Sequence, residues 1–333
     1  MACLYMTCYP LIYTMQLYNQ IKQNIFLKGS SVALGVFDGV HLGHVEIIKN
    51  AINFAKKNSL TSIVATFSNH PHSEITGQAP KLLSTFEDRL ELIENLGIDA
   101  VLALEFDSKL RHMSAQDYFT KILVDCLNAK YISVGYDHKF GFNQEGTIDK
   151  LKEWGAKLSI TVHVNPPINI NDEPVSSTRI RKDLSAGQVK PASLLLGRYY
   201  SIHGKITQGL KRGTELGFPT ANIMIPSGLI IPTVGVYAGF ATLTSHLPSP
   251  TSHLPCVINI GYCPTFKESH NELKVEAHIL DFPYKELYNQ NIKIDYVERL
   301  RDEEKFSSKE ELIKQIKKDC EVGRRILMSL RGL

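Results

Sequence analysis

The stretch LGVFDGVHLGH, residues 34–44, sets two histidines where an apolar run gives way to helical spacing. Gly35 and Gly39 let the backbone approach a ligand closely. A helix opening near Leu42 would present unsatisfied N–H groups carrying partial positive charge. His41 and His44 flank Gly43 in that first turn, with Phe37 and Asp38 just before it. Both histidines can face the same anion, and each can donate to a phosphate oxygen. A metal pair is the competing reading, but no cysteine or carboxylate cluster lies beside them to complete a zinc site.

A second run, LLGRYYSIHGKITQGLKRGTELGFPTANI (195–223), crowds Gly204, Gly209, Gly213 and Gly217 into what reads as one loop between strands. Such a loop again suits close approach of backbone to phosphates. Within GFPTAN, Thr220 and Asn222 alternate onto one strand face and offer two oxygens to one hard cation. So sparse a set suits Mg²⁺, which keeps waters and leans on substrate phosphates.

The elements that must position these residues change character along the chain. SVALGVF, TSIVATF, DAVLALEF, AKYISVGY and SITVHVN read as strands. Between them GHVEIIKNAINFAKKN, TFEDRLELIENLG, SAQDYFTKILVDCLN (capped by Ser114) and TIDKLKEWGAK have helical spacing. That alternation predicts a parallel sheet covered on both faces, with ligands beyond the carboxyl ends of its strands. After LSAGQVKPAS come short β-type runs punctuated by Gly, Pro and Asn, then one closing helix, SKEELIKQIKKDCEVGRRIL. This half predicts a small antiparallel barrel or sandwich. The tandem TSHLP in TSHLPSPTSHLP (244–255) reads as a hairpin insertion because of its Pro and Ser content, not as a metal site.

The HxGH after a first strand resembles the nucleotidyltransferase superfamily, and VSSTRIRKDL (175–184) resembles that superfamily's distant basic signature. The resemblance implies a Rossmann-like domain in which Ser177 and Thr178 cap a phosphate-holding helix. Arg181 would then grip the phosphates that leave as pyrophosphate. TFSNHP (66–71) and VGYDHKFGFNQEG (134–146) resemble two segments of bacterial FAD synthetases, implying flavin contacts at Asn69, His70, Asp137 and Phe140. Asn69 stands where that family commonly has proline, and His138 where it has phenylalanine.

The second half resembles riboflavin kinases through GFPTAN, INIGYCPTF, VEAHILDF and ERLRDEEKFSS. The resemblance implies Glu276 as general base toward the ribityl hydroxyl, since an attacking alcohol must lose its proton. It implies nucleotide contacts at Lys211, Phe218 and Pro219 besides the glycines, and flavin contacts at Arg301 and Phe306. Thr214 departs from a common arginine. The whole chain from about residue 15 thus resembles the bacterial bifunctional riboflavin kinase/FMN adenylyltransferases. Expected domains are an adenylyltransferase over 15–187 and a kinase over 188–333, with ATP and flavins as substrates and Mg²⁺ as cofactor. The rival readings are a monofunctional adenylyltransferase with an inactive flavin-binding barrel, another HxGH enzyme such as a cytidylyltransferase, and a non-enzymatic flavin sensor.

Bulk properties agree with an ordinary globular chain, at 43% apolar and 21% charged residues. A net charge of +3 is too small to imply a nucleic-acid or membrane surface. No apolar run is long enough to span a bilayer. Six scattered cysteines without a CxxC pair argue against a disulfide framework and for the cytoplasm. No obligate protein partner is implied. Residues 1–14, ahead of Met15, are expected to be a disordered extension or to precede the true start.

Overall fold

The computed structural model describes residues 14–23, 26–209, 212–243, 251–263, 272–283 and 287–330. The expected extension therefore lies outside the described residues except for Thr14, whose hydroxyl donates to Glu94 at 2.9 Å. Packing divides the chain into two units, the first holding the chain to Pro80 with Phe86–Pro174, the second Lys81–Thr85 with Val175 onward.

The first unit runs β1 (Gln16–Tyr18), β2 (Ser30–Leu34), α1 (Leu42–Asn58), β3 (Thr61–Phe67), α2 (Pro71–Thr76), α3 (Phe86–Glu94) and β4 (Ala100–Leu104). It continues with α4 (Ser108–Arg111), α5 (Ala115–Asp117) leading into a π-helical stretch (Tyr118–Cys126), β5 (Ala129–Gly135), α6 (Ile148–Lys157), β6 (Thr161–Asn165) and a small hairpin, β7 (Asn169–Ile170) with β8 (Glu173–Pro174). Six strands form one sheet in the order β1-β4-β3-β2-β5-β6, every pair parallel. All of β2 and β4 is buried, as a sheet covered on both faces requires. Alternation sends Val32 and Leu34 to one core with Phe119, Ile122 and Leu151. Ala33 goes to the other, with Ile48, Ala51 and Ile52 of α1 and Leu90 and Ile93 of α3. Ser114 caps α5 as expected, accepting from the Asp117 N–H at 3.0 Å.

The second unit comprises α7 (Ser177–Ser185), α8 (Val189–Leu196), β9 (Tyr200–Thr207), α9 (Arg212–Glu215), β10 (Ala221–Met224), β11 (Gly235–Leu243), β12 (Thr251–Cys263), β13 (Glu272–Ile279), β14 (Asn291–Arg301) and α10 (Lys309–Ser329). Its strands close an antiparallel barrel in the order β10-β13-β12-β11-β14-β9, with β9 returning to β10. Packing divides the chain earlier than its texture does, because Ile180, Leu184, Val189, Leu195 and Leu196 of α7 and α8 are buried within this unit. The first TSHLP copy lies outside the described residues. The second is no insertion: it opens β12, where Leu254 pairs with Ala241 and Thr251 with Leu243 of β11.

Arg301, at the end of β14, is tied to α10. Its Nε lies 3.0 Å and its Nη2 2.9 Å from Asp319 Oδ2, and Asp319 is 5% exposed. Losing one partner of such a pair strands the other charge. Asp319→Ala should lower the stability of the barrel unit by about 2–4 kcal/mol, discounted for the partial exposure of Arg301. Calorimetry should register this as a downward shift of one unfolding transition.

Candidate active sites

Between β2 and α1 the chain turns tightly, with the Val40 N–H donating to the Phe37 carbonyl at 3.0 Å. Phe37 and Val40 hold φ of 56° and 37°. For an aromatic and a β-branched residue such backbone costs about 1–3 kcal/mol each. Both side chains are buried, and that packing holds the strained loop in place. His41 takes the N-cap position of α1, its Nδ1 accepting the His44 N–H at 3.4 Å. An acceptor Nδ1 leaves the ring proton of a neutral imidazole on Nε2. The two rings stack with centroids 3.6 Å apart and 18° between planes. Gly43 permits this, since a Cβ there would stand 3.2 Å from the His41 ring.

A cavity of about 560 Å³ opens beyond the same sheet edge, lined among others by Phe67, Phe106, Tyr118, Asp137, His138 and Phe140. Its volume and aromatic walls suit a flat ring system. Burial pushes the Tyr118 phenol up to about 12, so it remains a donor. Burial also pushes His138 down to about 4, with Asp137 opposing, so its ring is neutral near pH 7. Asp137 and Phe140, two of the residues expected to contact flavin, both line this cavity. Asn69 is placed differently. Its amide exchanges two hydrogen bonds with the Phe106 backbone, at 2.7 and 3.1 Å, so it holds the loop that carries a cavity wall. His70 caps α2, accepting from the His72 N–H at 3.2 Å.

The basic signature falls on α7, in the second unit. Its N-cap is Ser176, whose Oγ accepts from the Arg179 N–H at 3.2 Å. Ser177 and Thr178 are therefore first-turn residues, not the cap, because Ser176 is the hydroxyl residue with extended backbone (φ −149°). Arg181 donates from Nε to the Lys81 carbonyl at 2.7 Å.

In the barrel, register sets the site. Asn222 of β10 lies directly opposite Thr207 of β9 on one side and Glu276 of β13 on the other, and Glu276 lies opposite Asn259 of β12. Opposed residues share a face. The intervening Ile206, Ile223, Val275 and Ile260 are buried, so this polar row faces away from the barrel core. Gly209 presses against the row, where a Cβ would come within 2.0 Å of the Asn222 amide. His278, sharing the face of Glu276, donates from Nδ1 to the Pro219 carbonyl at 2.8 Å and meets Phe218 edge-on, fixing the GFPT turn beside Thr220. A cleft of about 640 Å³ adjoins, lined by Lys81, Thr207, Gly209, Asn222 and Lys274 among others.

Not every expected residue joins this site. Gly204 is in strand β9, not in a loop, and its glycine identity answers the Ile223 side chain, 2.5 Å from where a Cβ would sit. Gly213 belongs to the single-turn α9, and Gly217 turns the chain at φ 87°. Lys211 lies outside the described residues. Arg301 is engaged by Asp319, its guanidinium 5.8 Å from the Phe306 ring. His278 and Asn259 went unnoticed in the sequence, since each gains meaning only from a strand partner far along the chain.

The donors near Thr220 are a hydroxyl, an amide oxygen and a carboxylate across the strand, all hard oxygens that fit Mg²⁺. Among the described residues no group of three or more His, Cys, Asp or Glu could hold a metal. A cation here would draw most of its ligands from substrate phosphate and water.

A parallel α/β unit with a histidine pair at a helix start, joined to a closed barrel carrying GFPTAN, defines a transferase with two phosphate-handling domains. Residues 23–179 match the FAD synthetase family and residues 196–327 match riboflavin kinase. Curated relatives named bifunctional riboflavin kinase/FMN adenylyltransferase include that of Bacillus subtilis, 35% identical over 91% of this chain and 94% of the relative. That of Buchnera aphidicola from Acyrthosiphon pisum is 34% identical over 88% and 91%. The chain belongs to the bifunctional riboflavin kinase/FMN adenylyltransferase family. A crystal structure of a Streptococcus pneumoniae protein described as a macrolide-efflux protein shares the fold, with TM-score 0.82 and 28% identity over 93% of this chain and 99% of that one. No described helix here is long and apolar enough to cross a membrane.

Gly209→Ala should drive a methyl group into the Asn222 amide. Riboflavin phosphorylation should fall by about a hundredfold, as for a misplaced reacting group, with FMN adenylylation unchanged when the two are assayed separately.

Proposed function

We propose that the two units divide two successive transfers, residue by residue, as follows. In the α/β unit an FMN phosphate oxygen attacks the α-phosphorus of ATP, forming a P–O bond as the bond to pyrophosphate breaks. The transition state needs charge neutralisation and alignment more than a protein nucleophile. His41 and His44 donate to the α-phosphate, and the Gly35–Gly43 loop holds the rest of the triphosphate. The aromatic cavity at Asp137 and Phe140 takes the flavin.

In the barrel the riboflavin 5′-hydroxyl attacks the γ-phosphorus of ATP to give FMN and ADP. Glu276 accepts the hydroxyl proton. Thr220 and Asn222 would anchor Mg²⁺, which supplies charge neutralisation on the transferring phosphates when bound. The direct opposition of Asn222 and Glu276 across β10 and β13 is the observation that carries this half of the reading. Gly209 shapes the loop against the nucleotide. The described free cysteines, Cys126, Cys256 and Cys320, support a reducing compartment, the cytoplasm. Neither nucleic acid nor an obligate protein partner enters the reading.

Incubation with riboflavin, ATP and Mg²⁺, followed by chromatography of FMN and FAD, tests it. A His41→Ala/His44→Ala protein should accumulate FMN and lose FAD formation by at least about a hundredfold, as when transition-state donors are removed. Parent-rate FAD synthesis by that protein would refute the assignment. Glu276→Gln should slow the kinase step by about a hundredfold or more, as loss of a general base does, and leave adenylylation of supplied FMN intact. An unchanged kinase rate would remove Glu276 from the mechanism.

A further inference from the structure

Arg89 of α3 is 6% exposed, though Glu87 and Glu91 of the same helix are exposed. Its Nη1 donates to the Val36 carbonyl at 2.8 Å and its Nη2 to the Phe67 carbonyl at 2.5 Å. The guanidinium also lies 5.3 Å from the Phe86 ring. Thr66 Oγ1 donates to the same Val36 carbonyl at 3.0 Å. The Asp38 and Glu87 carboxylates favour the charged form against the burial that pulls the guanidinium below its ordinary value.

The two carbonyls belong to different segments, both of which reach the ring cavity, since Val36 lines it as Phe67 does. Val36 starts the strained loop that passes through Phe37 and Val40 to His41. Phe67 ends β3 and walls the cavity that Asp137 and Phe140 share. One rigid fork therefore spans the root of the histidine loop and the wall of the ring cavity. A planar guanidinium can bridge two acceptors at fixed separation, which an ammonium cannot do. The left-handed backbone at Phe37 and Val40 stores strain, and strained segments persist only where the surroundings over-determine them.

We infer that Arg89 is a positioning residue for adenylyl transfer, fixing the His41 loop relative to the flavin cavity by clamping the Val36 and Phe67 carbonyls. The inference rests on the reading that His41 and His44 serve that transfer. Arg89 touches neither substrate; it acts through the two carbonyls. A misplaced reacting group costs up to about a hundredfold in rate.

The test uses the full chain carrying Arg89→Met or Arg89→Lys, assayed in one sample for riboflavin phosphorylation and for adenylylation of supplied FMN. Methionine fills the space without holding a carbonyl. R89M should keep both calorimetric transitions and its kinase rate, while kcat for adenylylation drops about tenfold to a hundredfold. R89K, which keeps the charge and its donors but not the planar fork, should recover part of that loss. Unchanged adenylylation kcat in R89M, or an equal fall in both activities, overturns the inference. If R89M loses the transition of the first unit, R89K decides alone: a selective fall in adenylylation kcat supports the clamp, and a parent rate refutes it. Full activity in the His41/His44 double variant would instead strike the underlying reading and leave the Arg89 result standing as a separate fact.

Discussion

Parallel strands cannot be joined by tight turns, and that constraint shapes the first unit. Each crossover carries the chain back over a face of the sheet, so each strand ends at the same edge. The segments that leave those ends carry the first unit's proposed site or brace it. After β2 come Gly35 to His41, after β3 Asn69 and His70, after β4 Phe106, and after β5 Asp137 to Phe140. A phosphate loop and an aromatic cavity are thereby gathered without any of these segments being close in sequence. Coverage on both faces keeps water out of the strands beneath, so the edge is a firm base for flexible side chains.

The barrel solves a different problem. Closure leaves no free strand edge, and antiparallel register then decides which side chains meet. Thr207, Asn222, Glu276 and Asn259 come from four strands and stand in one row only because the registers of three ladders agree. A one-residue slip of β10 would turn Asn222 inward and Ile223 outward, losing both core and site together. The proposed kinase site is thus coupled to the folding of the barrel more tightly than a loop-borne site would be.

Much of this was legible in the chain. The apolar runs of β2, β3, β4 and β5 and the spacing of α1 stand out because local pattern and buried face coincide there. The HxGH and GFPTAN segments were readable because their residue types are improbable for packing alone. What escaped notice depends on distant partners. β1 is three residues long and is a strand because β4 offers it a parallel edge. Three consecutive hydroxyl residues open α7, and only backbone conformation selects Ser176 as its cap. Nothing in the spacing of α3 sets Arg89 apart from the other charges of that helix. Its burial follows from two carbonyls on other elements, which no helical pattern encodes.

The repeated TSHLP raises a matter of strand choice. Two identical segments compete, in principle, for the same place beside β11. The first begins at Thr244, immediately after Leu243, and pairing it would leave no residues with which to reverse direction. The second begins at Thr251, whose backbone pairs with that of Leu243. Chain geometry alone therefore breaks the degeneracy that the duplication creates. A tandem copy gained at such a connection lengthens the path between two strands without altering which residues they present to each other. That makes the junction of β11 and β12 a place where this barrel can accept new sequence while the row at Glu276 keeps its alignment.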